Sequence, residues 1–224
     1  MFAGAVMTAL LLTIGCQEHA VEEKHDEDKE IEWTFDREER NGLPENWKVA
    51  ETAGTGMTAT WKIVADGSAP SKPQAVAVTE SKNRGHTFNL LIAEVPKFRD
   101  VELEIKVKAV GGKEDQGGGP IWRAKDEDNY YICRWNPLEK NFRVYVVKDG
   151  KRKQLGSAEV DADAGTWHEI KILHEGTKIT AEFDDKKLVL LEDNTFQDAG
   201  MVGLWTKADA TTAFDDFEVE VVCD

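Results

Sequence analysis

From Ile31 to the end of the chain, side-chain character alternates with a period of two and almost nowhere with the 3.6-residue period of a helix. In Phe214-Asp215-Asp216-Phe217-Glu218-Val219-Glu220-Val221, one face takes Phe217, Val219 and Val221, and the other takes Asp216, Glu218 and Glu220. Glu32-Trp33-Thr34-Phe35 alternates likewise. Further alternating or β-branched runs predict strands over Glu32–Phe35, Thr58–Val64, Gln74–Thr79, Thr87–Ala93, Val101–Val110, Pro120–Ala124, Tyr130–Asn136, Phe142–Val147, Lys153–Ser157, Trp167–Leu173, Lys178–Phe183, Lys187–Leu191, Met201–Thr206 and Phe214–Val222. Turn formers separate them. Asp149-Gly150 is a hairpin signal, because both residues tolerate positive φ, and Glu175-Gly176-Thr177 and Asp184-Asp185-Lys186 act similarly. With no helical crossover the strands must pair antiparallel. The economical packing is an all-β jelly-roll sandwich of two antiparallel sheets with about 12–14 strands, in which the first strand pairs with the last.

The N-terminus has a different character. Phe2 to Ile14 is almost wholly apolar but shorter than the ~20 residues of a spanning helix, and matches the apolar core of a signal peptide. It ends in Leu12-Thr13-Ile14-Gly15-Cys16, which resembles a bacterial lipobox with Cys16 as the lipidated residue, although Thr13 stands where Leu is favoured and no basic residue precedes the run. The competing reading is a buried N-terminal segment with an incidental cysteine. Gln17 to Glu30 is acidic and aperiodic, a solvated tether in which His19 and His25 are linker residues. The division expected is therefore a lipoprotein signal peptide over 1–16, a tether over 17–30 and one sandwich domain over 31–222. Such a chain is exported and anchored at the periplasmic face or cell surface, touching membrane only through its lipid.

Charge excludes some partners. A formal net charge of −15 repels phosphate backbones and anionic headgroups, so no nucleic acid is expected. The two remaining cysteines, Cys133 and Cys223, either bridge outside the cytoplasm or stay as free thiols.

Three stretches carry a resemblance. They are Gly118-Gly119-Pro120-Ile121-Trp122-Arg123-Ala124-Lys125-Asp126, Asn129-Tyr130-Tyr131, and Gly200-Met201-Val202-Gly203-Leu204-Trp205-Thr206-Lys207-Ala208-Asp209 running into Phe214-Asp215-Asp216-Phe217, with Gly165-Thr166-Trp167-His168 between. Their order resembles the concanavalin A-like lectin/glucanase superfamily and, within it, the 3-keto-disaccharide hydrolase-like domain. The resemblance covers residues 31 to 222. It implies a curved two-sheet sandwich whose concave face meets glycans.

A glycan site needs flat aromatic faces and planar polar groups. Alternation puts Tyr130, Arg134 and Asn136 on one side of their strand and Tyr131, Cys133 and Trp135 on the other; Arg143 and Tyr145 share a face on the next strand. Val202 and Leu204 look inward, leaving Gly203, Trp205 and Lys207 opposite, with Gly203 keeping the face low for a ligand. The candidate patch on an open concave face is Arg123, Tyr130, Arg134, Asn136, Arg143, Tyr145, Trp205 and Lys207. Trp33, Trp47, Trp61 and Trp167 are assigned to core or sheet edges. The bland reading makes the aromatic residues cross-strand packing and pairs the arginines with local acids.

Catalytic residues are not legible. The glucanase strand pattern Glu-x-Asp-x-x-Glu is missing its last Glu in Glu159-Val160-Asp161-Ala162-Asp163-Ala164. Glu102 and Glu104 continue into Lys106 and Lys108, a solvated edge. Asp209 and Asp215 are weak acid candidates, and His168 reads as packed or edge-exposed. No phosphate loop or nucleophile elbow is present. No metal site is assigned and no cofactor is expected, although Asp161-x-Asp163 or Asp126-Glu127-Asp128 offers partial calcium ligation. Three functions remain open for an expected monomer: a carbohydrate-binding domain acting on glycans at the cell surface, a glycoside or 3-keto-disaccharide hydrolase, and a non-catalytic envelope interaction domain.

Overall fold

A computed structural model describes residues 30–54, 57–94 and 96–222. Cys16, the leader, Cys223 and all of the tether but its last residue lie outside the described residues. Two antiparallel sheets stack face to face. The first runs β13 (Lys186–Glu192), β12 (Lys178–Phe183), β11 (His168–Glu175), β6 (Val101–Gly111), β15 (Thr211–Val221), β4 (Gln74–Glu80) and β3 (Thr60–Ala65), with β1 (Glu30–Trp33) also pairing with β15. The second runs β10 (Lys151–Glu159), β9 (Asn141–Lys148), β8 (Asn129–Asn136), β7 (Gly119–Asp126), β14 (Met201–Lys207), β5 (Phe88–Ala93) and β2 (Trp47–Thr52).

All the predicted strands form, and β1 pairs with β15 as expected, Ile31 opposite Val219 and Trp33 opposite Phe217. The strand that periodicity missed is β2. Its sequence, Trp47-Lys48-Val49-Ala50-Glu51-Thr52, has neither a β-branched run nor clean alternation, and only its position on the edge of the second sheet makes it a strand. Glu102 and Glu104 also differ from expectation. They lie on the outer face of β6, a central strand, and Lys171 of β11 reaches both across the ladder.

The inner faces meet in one core. Leu103, Ile105, Val107, Ile170, Ile172, Phe214 and Phe217 of the first sheet pack on Leu91, Trp122, Tyr131, Cys133, Trp135 and Leu204 of the second. Trp47 and Trp61 are buried there, Trp33 stacks on Phe217 at 5.5 Å, and Trp167 sits on the outside under the Lys108 ammonium at 4.7 Å. Cys133 is a free thiol, and burial raises its pKa well above the ordinary thiol range.

The second sheet is strongly curled. Thr52, at the end of edge strand β2, donates to the Glu127 carbonyl in the β7–β8 turn at 2.5 Å and hydrogen-bonds the Tyr130 hydroxyl at 2.7 Å. In the sheet, β14 and β5 stand between β2 and β7. Contact across that span folds the β2 edge over the outer face to the β7–β8 turn in the middle of the sheet, as coiling of a twisted sheet does.

Truncations should separate core from surface. Leu204→Ala, fully buried, is expected to cost about 2–5 kcal/mol of unfolding free energy in a urea titration. Leu190→Ala, 73% exposed on β13, should stay within about 0.5 kcal/mol of the parent.

Candidate functional site

The outer, concave face of the second sheet is built by the residues that alternation placed there. Phe88, Leu90, Ile92, Ile121, Ala124, Tyr130, Ile132, Tyr145, Val147 and Trp205 form a second apolar cluster on it. This is the first correction to the expected patch. Trp205 and Tyr130 are fully buried rather than presented as an open platform. Phe88 packs on Trp205 at 5.2 Å, and the Thr52 contact closes over Tyr130. Gly203 is needed for a reason other than ligand access: a Cβ there would stand 2.4 Å from the Leu91 carbonyl oxygen of the neighbouring strand.

Further along the same face the side chains turn polar. Arg134, 2% exposed, donates to Asn141 Oδ1 at 2.5 Å, Glu139 Oε2 at 2.8 Å and the Tyr145 hydroxyl at 3.3 Å. Arg143 donates to the same Glu139 oxygen at 3.2 Å and to Tyr145 at 3.4 Å. Asn136 donates to Asp115 Oδ1 at 2.9 Å while its own Oδ1 accepts from the Glu139 amide. Lys207 completes the group with an ion pair to Asp115 at 2.8 Å. Arg134, Asn136, Arg143, Tyr145 and Lys207 of the expected patch are therefore brought together. Beside them an open cleft of about 410 Å³ is lined by Glu139, Lys140, Asn141, Arg143, Ser157 and Asp161 among others.

The two carboxyls of this cluster are pushed apart electrostatically. Burial drives Asp115 upward, and the Lys207 ammonium offsets only part of that. Burial pushes Glu139 up too, but hydrogen bonds from Asn141 and Arg134 and the two arginine charges outweigh it and hold the carboxyl down to about 2.

Arg123 does not join the group. It sits at a β-bulge with φ 45°, and its side chain is fully buried against Asp100 at 2.9 Å and the carbonyls of Arg99, Gly176 and Phe196. Its role is to tie loops together. Asp209 accepts the amides of Lys113, Glu114 and Asp115; burial pushes its pKa up, but those amides outweigh it and leave the carboxyl below its ordinary value. It shapes the loop that carries Asp115. Asp215 lies in β15 of the other sheet, bound to the Ser71 amide and hydroxyl, away from the cluster. His168 stacks on Phe183 at 5.2 Å and pairs with Asp184. Among the described residues no group of three or more His, Cys, Asp or Glu is placed to hold a metal ion.

Reading by periodicity missed Asp115, Glu139, Asn141 and Arg152. Arg152 lies over the Tyr145 ring at 4.3 Å, the Phe88 ring at 5.0 Å and the Trp205 ring at 5.8 Å. One signal for it was available. The Asp149-Gly150 hairpin sets Lys151 opposite Lys148 and hence Arg152 opposite Val147, on the face of Tyr145. Asp115 and Glu139 come from loops, where no period assigns a face.

No protein-family model matches the chain, and no curated protein matches it in sequence. Solved structures do. The carbohydrate-binding module CBM66 from Bacillus subtilis superposes with a TM-score of 0.62 at 17% identity, covering 78% of this chain and 95% of that one. The Bacillus licheniformis β-glucanase gives 0.59 at 9% identity over 87% and 98%. The exoplasmic/lumenal domain of VIP36, solved with calcium and mannose bound, gives 0.58 at 13% identity over 89% and 92%. What the chain shares with these structures is the fold, a jelly-roll sandwich of two antiparallel sheets. Identities this low establish the architecture and leave the ligand to the residues of this chain.

The displaced acid candidate generates a pH prediction. Burial and the neighbouring Asp216 charge raise the Asp215 carboxyl from 3.8 to about 7. The folded state keeps a proton that the unfolded chain releases, so this contribution is full below pH 3.8 and is lost as pH rises through about 7. Asp215→Asn should flatten that part of the stability decline between pH 4 and 7, read as melting temperature against pH.

Proposed function

We propose that this chain is an exported, lipid-anchored carbohydrate-binding domain that holds a glycan at the polar end of its curled sheet. The observation that carries this reading is the convergence of Arg134, Asn136, Arg143, Tyr145 and Lys207 with Asp115, Glu139 and Asn141 beside an open cleft. Planar guanidinium, amide and carboxylate groups held by one another are pre-ordered to bind sugar hydroxyls. Trp205 stabilises the curl from within, so sugar stacking falls to residues nearer the cleft. The sandwich architecture shared with a carbohydrate-binding module and a mannose-bound luminal domain supports the same reading. The lipobox-like Cys16 and the apolar run before it are the basis for placing the domain at the envelope, as a monomer on a lipid tether.

A second reading, hydrolysis of a glycoside or a 3-keto-disaccharide, is favoured by one feature. Asp115 and Glu139 are carboxyls whose environments drive their pKa values in opposite directions, the pattern by which acid and base roles are divided. Against it, Asp115 is already ion-paired with Lys207.

A glycan array probed with the purified chain tests the binding reading. Retention of at least one glycan, lost by about 10-fold or more in Arg143→Ala, is the expected result, since a hydrogen bond to a charged donor is worth about 1.5–3 kcal/mol. Absence of any retained glycan overturns it. Turnover of a retained glycan by the parent, abolished in Glu139→Gln, moves the assignment to the hydrolase.

A further inference from the structure

We infer that the sugar held here carries a carboxylate, and that Arg152 reads it. This deepens the glycan-binding reading and rests on it. Unmatched donors point that way. Arg152 Nη1 and Arg134 Nε are buried and have no hydrogen-bond partner. The Tyr145 hydroxyl accepts from both Arg134 and Arg143, so its own proton points to no acceptor among the described residues. These three groups share the concave face, and each offers a donor.

Charge repeats the pattern. Arg134, Arg143 and Arg152 stand around Tyr145, and Lys207 lies on the same face. The carboxylates facing them are Asp115, committed to Lys207, and Glu139, shared by Arg134 and Arg143; the cleft alongside adds Asp161, paired with Lys140, and Glu159. No ion pair with Arg152 forms among the described residues. Its guanidinium is held by the rings of Tyr145, Phe88 and Trp205 instead. A half-buried cation with an unsatisfied N–H is costly, and an anion that reaches it recovers that cost.

A carboxylate fits these donors best. Its two oxygens match the guanidinium fork. The whole-molecule charge of −15 then restricts the ligand further. A polyanion would be repelled over its length, whereas one acidic residue within an otherwise neutral glycan meets only the local excess of cations. The ligand class is therefore a hexuronate-bearing saccharide.

Calorimetry on the full chain with paired probes decides the matter. Methyl hexuronides of gluco, galacto and manno configuration are compared with their neutral methyl esters, which differ only at the carboxylate. At least one hexuronide should bind about 10-fold tighter than its ester. Arg152→Gln should bring that ratio close to unity, and Arg152→Lys should retain part of it. An ester binding as tightly as its acid, or an acid preference undiminished in Arg152→Gln, overturns the inference and leaves the glycan reading standing. If neither acid nor ester binds, the carboxylate inference falls, and the glycan reading stands or falls on the array. Should Arg152→Gln fail to fold, the comparison of acid and ester on the parent protein still separates a carboxylate-reading site from a neutral one.

Discussion

The second sheet is apolar on both of its faces, and most of the molecule follows from how those faces are covered. An antiparallel sheet in a sandwich normally leaves its outer face wet and polar. Here β8 carries Tyr131, Cys133 and Trp135 into the core between the sheets, and Tyr130 and Ile132 into a separate cluster on the other side. The first sheet lies behind that outer face and does nothing to shield it from water. The sheet instead coils on itself, and Thr52 fastens one corner to the turn opposite. The hydrogen bonds of Thr52 satisfy the Glu127 carbonyl and the Tyr130 hydroxyl, polar groups that the closure would otherwise strand.

Closure divides the outer face into a covered end and an open one. Apolar residues occupy the coiled end, and the polar cluster lies toward the end where the face opens into the cleft beside Glu139 and Arg143. Two buried arginines show the difference between structural and available charge. Arg123 spends four of its five N–H donors on Asp100 and three carbonyls, all of them inside the fold. Arg134 is just as buried, yet two of its partners, Glu139 and Asn141, also line the cleft, and its Nε has no hydrogen-bond partner. The first arrangement holds a loop; the second holds a cluster of polar side chains on the concave face.

Periodicity read nearly the whole architecture, because alternation is a direct consequence of strand geometry. It assigned Tyr130, Arg134 and Asn136 to one side and Val202 and Leu204 to the other correctly. It could not say whether that side was wet, because curl is a property of the sheet and no single strand encodes it. Trp205 was thus put on the right face and given the wrong environment. β2 was lost because its strand character comes from pairing with β5 rather than from its own residues. Asp115 and Glu139 were lost because loop positions have no face until the loop is built. Arg123 misled for another reason: a bulge interrupts its strand, and a bulge shifts every side chain after it.

The contrast between global and local charge bears most on recognition. A protein with net charge −15 would be expected to place acids wherever side chains are free. The first sheet does so, pairing Glu102 and Glu104 with Lys171 on its outer face. The concave end of the second sheet reverses the balance, with three arginines around a single tyrosine, Lys207 on the same face, and two carboxylates that are already engaged. Inside a low-dielectric fold, such an excess is felt more strongly than the distant surface acids, which salt screens within about 10 Å. A structural role would have been served by neutral side chains at lower desolvation cost. Four cations gathered on one face, in a chain otherwise rich in acids, are the electrostatic feature that sets this end of the sheet apart from the rest of the molecule.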